Sequence, residues 1–446
     1  WGTVDSDMLK DNGVKIPAEL DGVDELQANV WLCNNRVIRM VLNPFKPARI
    51  PYYAVPYELN PYSFFGIGIG ENMDDTFLDG FLEGAEMVKH NGKYYLQYAA
   101  PGTEFSGYAD GVAVGDGPLN FFQNQSDPLS LKAGGFARGA GHGATFQDNQ
   151  KKYWHVSTMV LAVKNNFERR LGIWPAGFDK DDVMYCNTAF GDYPHYLPGD
   201  MIDHSQSRFT GWMLLNYKKP VQVSSTLGSM YNANNAVDES IKTYWSAATS
   251  NKGEWLQTDL GNVSTVNAIQ INYADQDAVF LGKTLDQYHQ YILYYSVDGK
   301  KWQVLVDKSA NKKDVPHDYI ELEKPIQARY IKMENIHIPS GKFAISGLRV
   351  FGNGNGVKPE PVKDFFVLRT EKDKRSAWLK WSPVDNAYAY NISFGTDPNK
   401  LYTTIMVHDA NDYYYKGMDS KKTYYYKIEA INENGVSVSS KIVKAE

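Results

Sequence analysis

Phe81-Leu82-Glu83-Gly84-Ala85-Glu86-Met87-Val88-Lys89-His90-Asn91-Gly92-Lys93-Tyr94-Tyr95-Leu96-Gln97-Tyr98 is the stretch on which the reading of the chain turns. Asn91-Gly92 stands between two alternating apolar runs, and both positions of such a turn need φ > 0, which Asn and Gly tolerate best. The stretch therefore reads as a β-hairpin, with Glu83 on or beside its first strand. Outward from it, Tyr108 to Leu119 carries the next strand and ends in a turn. Gly139 to Phe146 and Tyr153 to Val156 form another hairpin across Asp148 to Lys152, and Phe167 to Asp179 supplies a further strand and turn.

Strand pairs separated by glycine turns are how propeller blades read. At 446 residues the chain exceeds a single core, since cores stop growing near ~250 to 300 residues. Two or three domains are expected. Hydrophobic residues at 43% and charged ones at 22% fit a soluble globular protein, and no apolar run reaches the ~18 residues of a membrane span. A net charge of −6 without a Lys/Arg block argues against nucleic acid or anionic membrane and favours a neutral ligand. The 31 Tyr, 10 Trp and 20 Phe suit β-cores and also offer faces for sugar stacking. Cys33 and Cys186 allow one bridge at most, which excludes a disulfide scaffold. The start at Trp1, with no charged-then-apolar leader, reads as a processed or excised piece.

The step Glu83-Gly84-Ala85 before Gly92-Lys93-Tyr94-Tyr95-Leu96 resembles the family 43 glycoside hydrolases, five-bladed β-propellers, and the likeness runs over residues 81 to 212. It implies an inverting hydrolase, similar to β-xylosidases and α-L-arabinofuranosidases, releasing xylose, arabinose or galactose from plant-type glycans. Glu83 takes the place of the general acid, with Glu86 a surface or supporting charge. Asp5, in the hairpin Asp5 to Gly13, takes the place of the Asp that tunes the acid. His142, between Gly141 and Gly143, corresponds to a residue near the propeller axis, close to substrate or a bound ion; the alternative is an ordinary turn histidine. Arg169 and Arg170 alternate faces on one strand, so one points to the axis, where it could hold a sugar hydroxyl or the acid, and the sequence does not choose between them. In the family a general-base Asp lies in the first blade, but no match for it is found among the 82 residues before Glu83. The propeller is therefore expected to be incomplete at its N-terminus. The alternative function is a non-catalytic glycan-binding or adhesion protein.

After residue 215 the text changes. Asn235-Ala236-Val237-Asp238 through Thr243-Tyr244-Trp245, Glu254 to Gly261, Tyr295 to Trp302 and the closing Leu348-Arg349-Val350-Phe351-Gly352 resemble a discoidin or F5/8 type C jelly-roll, similar to the family 32 carbohydrate-binding modules, over residues 220 to 352. The likeness implies a structural calcium held by Asp238, Ser240 and Thr243, oxygen donors suited to a hard cation; a loop without metal is the alternative. Trp245 and Trp255 fall at core positions, while Phe280, Tyr288 and Phe343 fall in expected loops as weak candidates for sugar contact. A linker follows at 353–359. Residues 360–446 resemble a fibronectin type III sandwich, with Ala377 to Trp381 and Thr423 to Ala430 as core strands, a module expected to act as a removable spacer. The whole is read as all-β: a propeller module at 1–215, a jelly-roll at 220–352 and a sandwich at 360–446, in a secreted, periplasmic or cell-surface protein.

Overall fold

A computed structural model describes residues 2–4, 26–33, 36–44, 83–100, 107–118, 123–125, 127–161, 169–196, 209–279 and 287–445. Asp5 and Phe280 lie outside the described residues. The described chain is almost entirely β-structure. No helix among the described residues is long and apolar enough to cross a membrane. Strands β1 (Gly2–Val4), β2 (Leu26–Cys33) and β3 (Arg36–Pro44) pair antiparallel in that order.

Two four-stranded antiparallel meanders follow. The first holds β4 (Glu83–His90), β5 (Lys93–Ala100), β6 (Ala109–Gly115) and β7 (Gln123–Asn124). The second holds β8 (Arg138–Gln147), β9 (Tyr153–Val160), β10 (Arg169–Phe178) and β11 (Met184–Cys186). A single parallel pairing, Ala109 with Ala140, joins them. The first hairpin turns where expected, with φ of 46° at Asn91 and 80° at Gly92. Period-two alternation along β5 sends Tyr95, Gln97 and Ala99 inward, and Tyr95, Val112, Ala140, Trp174 and Met184 share one core. Cys186 is a buried free thiol in that core. Among the described residues the meanders form an open sheet and no closed ring.

A second unit is built from β12 (Met213–Leu214), β13 (Val221–Val223), β14 (Trp245–Ser246), β15 (Trp255–Tyr273), β16 (Gln290–Ser296), β17 (Gln303–Asp307), β18 (His317–His337) and β19 (Ala344–Asn353). Its strand order is β12-β19-β15-β18-β16-β17, with β13 on β15 and β14 on β19. The hairpin at Asp298-Gly299 forms as read: Gly299 has φ 70° and the Asp298 carboxylate accepts from the amides of Lys300 and Lys301 at 2.8 Å each. Those two donors hold its pKa down to about 2. Trp245 is in the core as expected. Phe343 corrects the sequence reading: it is fully buried against Trp245, ring centroids 5.3 Å apart, and is no surface sugar contact.

The last unit pairs two sheets. One is β20 (Phe365–Arg369), β21 (Ser376–Trp381) and β24 (Asp412–Lys416); the other is β22 (Ala389–Gly395), β23 (Thr403–His408), β25 (Tyr425–Asn432), β26 (Gly435–Val436) and β27 (Val443–Lys444). Trp381, Ile392, Phe394, Tyr424 and Ile428 fill the space between them.

This unit is not a loosely tethered spacer. Its core cluster includes Ala109, Leu131 and Ala133 of the first meander region, and a Cβ on Gly134 would overlap the carbonyl of Met406. Polar contacts line the same seam: Lys400 Nζ meets Asp179 at 2.9 Å and Asp181 at 2.6 Å, and Thr403 Oγ1 donates to the Pro128 carbonyl at 3.2 Å. A chain ending near Gly356 would expose these apolar groups to water. It is expected to melt earlier and bind a hydrophobic dye, and an unchanged melting temperature for the shortened chain would contradict the shared core.

Asp127 lies in the seam with a pH consequence. Its Oδ2 accepts from the amide of Thr396 at 3.2 Å, while its buried Oδ1 has no partner. Burial pushes its pKa up to about 6. A carboxyl raised in the folded state favours folding while it is protonated, so its penalty is absent below the unfolded pKa near ~3.9, grows as pH rises, and is complete above the folded value. Asp127→Asn should therefore flatten the fall in melting temperature between pH 5 and pH 7 relative to the native chain, as scanning calorimetry at several pH values would register. Parallel profiles would remove Asp127 from that dependence.

The first two units meet at Arg349 on β19, whose side chain is 2% exposed. Its guanidinium donates to both carboxylate oxygens of Glu239, at 2.7 and 2.8 Å, to the Asp192 carbonyl at 2.6 Å and to the Asp192 carboxylate at 3.2 Å. Lys132 Nζ reaches the other oxygen of Asp192 at 3.0 Å. Beside this network Tyr193, Met213, Tyr217, Phe351, Met406 and Ile431 form one apolar junction.

Candidate active site

Glu83 begins β4 at an irregularity in the ladder. It pairs with Ala99 while Glu86 pairs with Gln97, so two β4 residues, Gly84 and Ala85, oppose one on β5. Such a bulge re-aims a side chain. Gly84 adopts φ +63°, and a Cβ there would come within 2.9 Å of the His142 ring, so only glycine serves both demands. The bulge turns Glu83 toward Tyr108, which is 1% exposed and donates its hydroxyl to Glu83 Oε1 at 2.6 Å. Burial, then the bond to Glu83, push the Tyr108 phenol well up, so it remains a donor at any physiological pH.

His142 sits at φ +56° with its side chain about half exposed, and its Nδ1 is 3.7 Å from Glu83 Oε1. Its glycine neighbours are required by close packing: a Cβ on Gly141 would lie 2.7 Å from the Tyr108 ring, and one on Gly143 would overlap His155 and Asp110. The two arginines differ in their contacts. Arg169 Nη1 donates to Thr158 Oγ1 at 3.3 Å, Thr158 donates to the Gly141 carbonyl at 3.0 Å, and the charge of Arg169 acts on Tyr108. Arg170 Nη1 instead bonds the Arg169 carbonyl at 3.1 Å. Glu83, Tyr108, His142 and Arg169 thus converge from β4, the residue before β6, β8 and β10.

A buried polar chain underlies this cluster, and sequence reasoning missed most of it. Asp110 and His155, both essentially unexposed, meet at 2.9 Å. Asp110 also accepts from Ser130 Oγ at 3.2 Å and from the amide of Gly143 at 3.3 Å. On its other side His155 meets Thr145 Oγ1 at 2.9 Å; Thr145 donates to Gln97 at 2.7 Å, and Gln97 donates to Glu86. Burial raises the Glu86 pKa against these donors. One signal was available: Tyr108 and Asp110 are two apart on a strand and therefore share a face.

The Asp238 loop brings its three expected residues together. Asp238 Oδ1 accepts from the Ser240 amide at 2.9 Å and Oδ2 from Thr243 Oγ1 at 2.6 Å; burial raises the Asp238 pKa. Next to it, Glu239 turns to Arg349 instead of the loop. Among the described residues no three His, Cys, Asp or Glu side chains gather as a metal cluster. The donors of the loop are all oxygens, which fits calcium in kind, but its one carboxylate is already bonded from within. Trp255 is half-buried, and Tyr288 stacks on His337 at 4.4 Å.

No curated protein matches the chain. Among solved structures, one described as a glycoside hydrolase is 20% identical, with 60% of each chain covered and a TM-score of 0.33, so the chain spans 60% of that protein's length. Chitosan-binding module 1 from a chitosanase/glucanase of Paenibacillus sp. IK-5 is 21% identical over 31% of this chain and 99% of its own, with a TM-score of 0.27. The family 32 module of C. perfringens NanJ, solved with galactose, is 19% identical over 30% of this chain and 92% of its own, with a TM-score of 0.24. Likenesses of this size carry no argument about fold or activity. Residues 220–346 match the family model of the F5/8 type C domain, and the strands from β13 to the start of β19 are that domain.

Proposed function

We propose that the chain processes glycans, hydrolysing a glycosidic bond with Glu83 as general acid while the F5/8 type C domain engages carbohydrate. The observation that carries this reading is the setting of Glu83: a bulge aims it, Tyr108 holds Oε1 at 2.6 Å and His142 stands 3.7 Å away. With Oε1 engaged, Oε2 carries the proton to the leaving oxygen. Inverting hydrolysis also needs a second carboxylate on the far side of the sugar, spaced to admit water. Asp5 belongs to this proposal as the residue that tunes the acid, on resemblance alone.

One observation favours the alternative of a non-catalytic glycan-binding protein. Among the described residues Asp110, which with Glu86 is one of two carboxylates in the buried chain behind the cluster, is closed off by His155, Ser130 and Gly143 and is unavailable to water at a sugar. Incubation with arabinoxylan and galactan oligosaccharides, following released sugar and its initial anomer by NMR, separates the two. Release with inversion supports the hydrolase, binding without release supports the alternative, and neither binding nor release overturns both.

Calcium enters as a proposal for the Asp238 loop, where the ion would replace the Thr243 hydroxyl and Ser240 amide as partners of the carboxylate. A cation that binds only the folded chain stabilises it by about 2.7 kcal/mol at a hundredfold excess over Kd. Chelation is thus expected to lower the melting temperature, and calcium to restore it. An unchanged transition, with no metal by elemental analysis, would refute the site.

A further inference from the structure

Hydrogen counting fixes the direction of the polar chain behind the Glu83 cluster, since each member has a set number of donors. Asp110 Oδ2 faces His155 Nε2 at 2.9 Å, His155 Nδ1 faces Thr145 Oγ1 at 2.9 Å, Thr145 Oγ1 faces the Gln97 side chain at 2.7 Å, and the far end of that amide meets Glu86. Gln97, Asp110, Thr145 and His155 are all buried, out of reach of bulk water. Glu86 also accepts from the Thr145 amide, and as a carboxylate it calls for the NH2 end of Gln97. Gln97 Oε1 then faces Thr145, whose single hydroxyl hydrogen must go to it. Thr145 Oγ1 has nothing left to give His155 and can only accept from it, so Nδ1 carries a hydrogen. Nε2 carries one too, because its partner is a carboxylate. With His155 neutral and Glu86 ionised, two lone pairs would face each other at one of these contacts, at the full cost of an unmade buried bond.

We propose that His155 is a buried imidazolium, set between the carboxylates of Asp110 and Glu86, and that it positions the candidate site. Of the three groups that could hold the extra proton, imidazole is ordinarily the most basic, near ~6.5 against ~3.9 and ~4.3 for the carboxyls. The Asp110 charge also acts on the Tyr108 phenol and the Cys186 thiol, but burial pushes both of these up and keeps them neutral. The pair lies directly beneath Gly143: a Cβ there would overlap both His155 Nε2 and Asp110 Oδ2, and the Gly143 amide donates to Asp110 Oδ1 at 3.3 Å. Gly143 follows His142, which is held at φ +56° with its ring packed over Gly84 in the bulge. At its other end the chain grips Glu86, the residue where the ladder resumes after that bulge. One cation thus braces the Glu83 segment from both sides. His155 touches no reacting atom, and only the catalytic sense of its bracing rests on the hydrolase reading.

The test is two-bond proton–nitrogen correlation NMR of the full chain labelled with ¹⁵N-histidine. The His155 signals are identified by their loss in His155→Gln or, should that variant not fold, by elimination with Gln variants of the other histidines. At pH 7.5, where a free imidazole is ~90% neutral, both ring nitrogens of His155 should carry a proton. Thr145→Val, or Thr145→Ala if Val is not accommodated, removes the acceptor; it should strip the proton from Nδ1 and shift the ring signals of His142. Thr145→Ser keeps the hydroxyl and should leave both as in the native chain. An unprotonated Nδ1 in the native chain would overturn the proposal and put the proton on Glu86. His142 signals unmoved in the Val or Ala variant would overturn it as well, by leaving the chain no positioning role. Neither readout uses turnover, so a protein that hydrolyses nothing still decides the matter.

Discussion

Glu83→Gln is expected to reduce turnover of a natural xylo- or arabino-oligosaccharide by roughly 10² to 10⁴-fold while sugar binding survives, because a general acid contributes that much. Gln keeps the shape and can still accept from Tyr108 through its carbonyl oxygen, so the local fold should persist. On the role proposed for Glu83, what is lost is the proton delivered to the leaving oxygen. Aryl glycosides with good leaving groups need less protonation, and on them the penalty should shrink sharply. The pattern across leaving groups is the diagnostic: a uniform loss on both substrate types would point to disrupted binding, and equal turnover by variant and native chain would remove Glu83 from the mechanism. Tyr108→Phe offers a milder companion, since it deletes only the donor on Oε1.

Arg349→Met should destabilise the chain by roughly 3 to 5 kcal/mol, the usual cost of leaving a buried ion pair half broken. The reason lies in what stays behind. Glu239 is fully buried, its pKa pushed up by that burial even with Arg349 beside it. For Asp192 burial pushes in the same direction, but Lys132 and Arg349 outweigh it and hold the carboxyl well down. Without the guanidinium, Asp192 still has Lys132 and the Phe136 amide at 2.7 Å, whereas Glu239 loses both of its 2.7–2.8 Å donors. Adding Glu239→Gln to Arg349→Met should therefore recover part of the loss. Urea unfolding of the two variants measures both effects, and a single variant within about 1 kcal/mol of the native chain would show that the network is not what joins the units.

The parts legible in the sequence share one property: they are set by neighbours along the chain. The Asn91-Gly92 turn forms with both φ angles positive, and the Asp298-Gly299 hairpin closes as read, because these conformations belong to the residues themselves. Trp245, read at a core position, is fully buried, and along β5 successive side chains point to opposite faces, as a strand requires. The spaced motifs from Asn235 to Phe351 named the F5/8 type C domain. What the sequence left open depends on which strands lie side by side. Arg169 and Arg170 are equivalent until β10 is paired with β9 and one of them faces Thr158. Phe343 looks like a loop residue until it stacks on Trp245. His155 meets Asp110 across 45 residues and Arg349 meets Asp192 across 157, distances over which no local preference acts. Those contacts, and with them the cluster around Glu83 and the joining of the first two units, exist because sheets stack in a particular register, where the cost of a buried charge is offset only by a partner that the tertiary fold delivers.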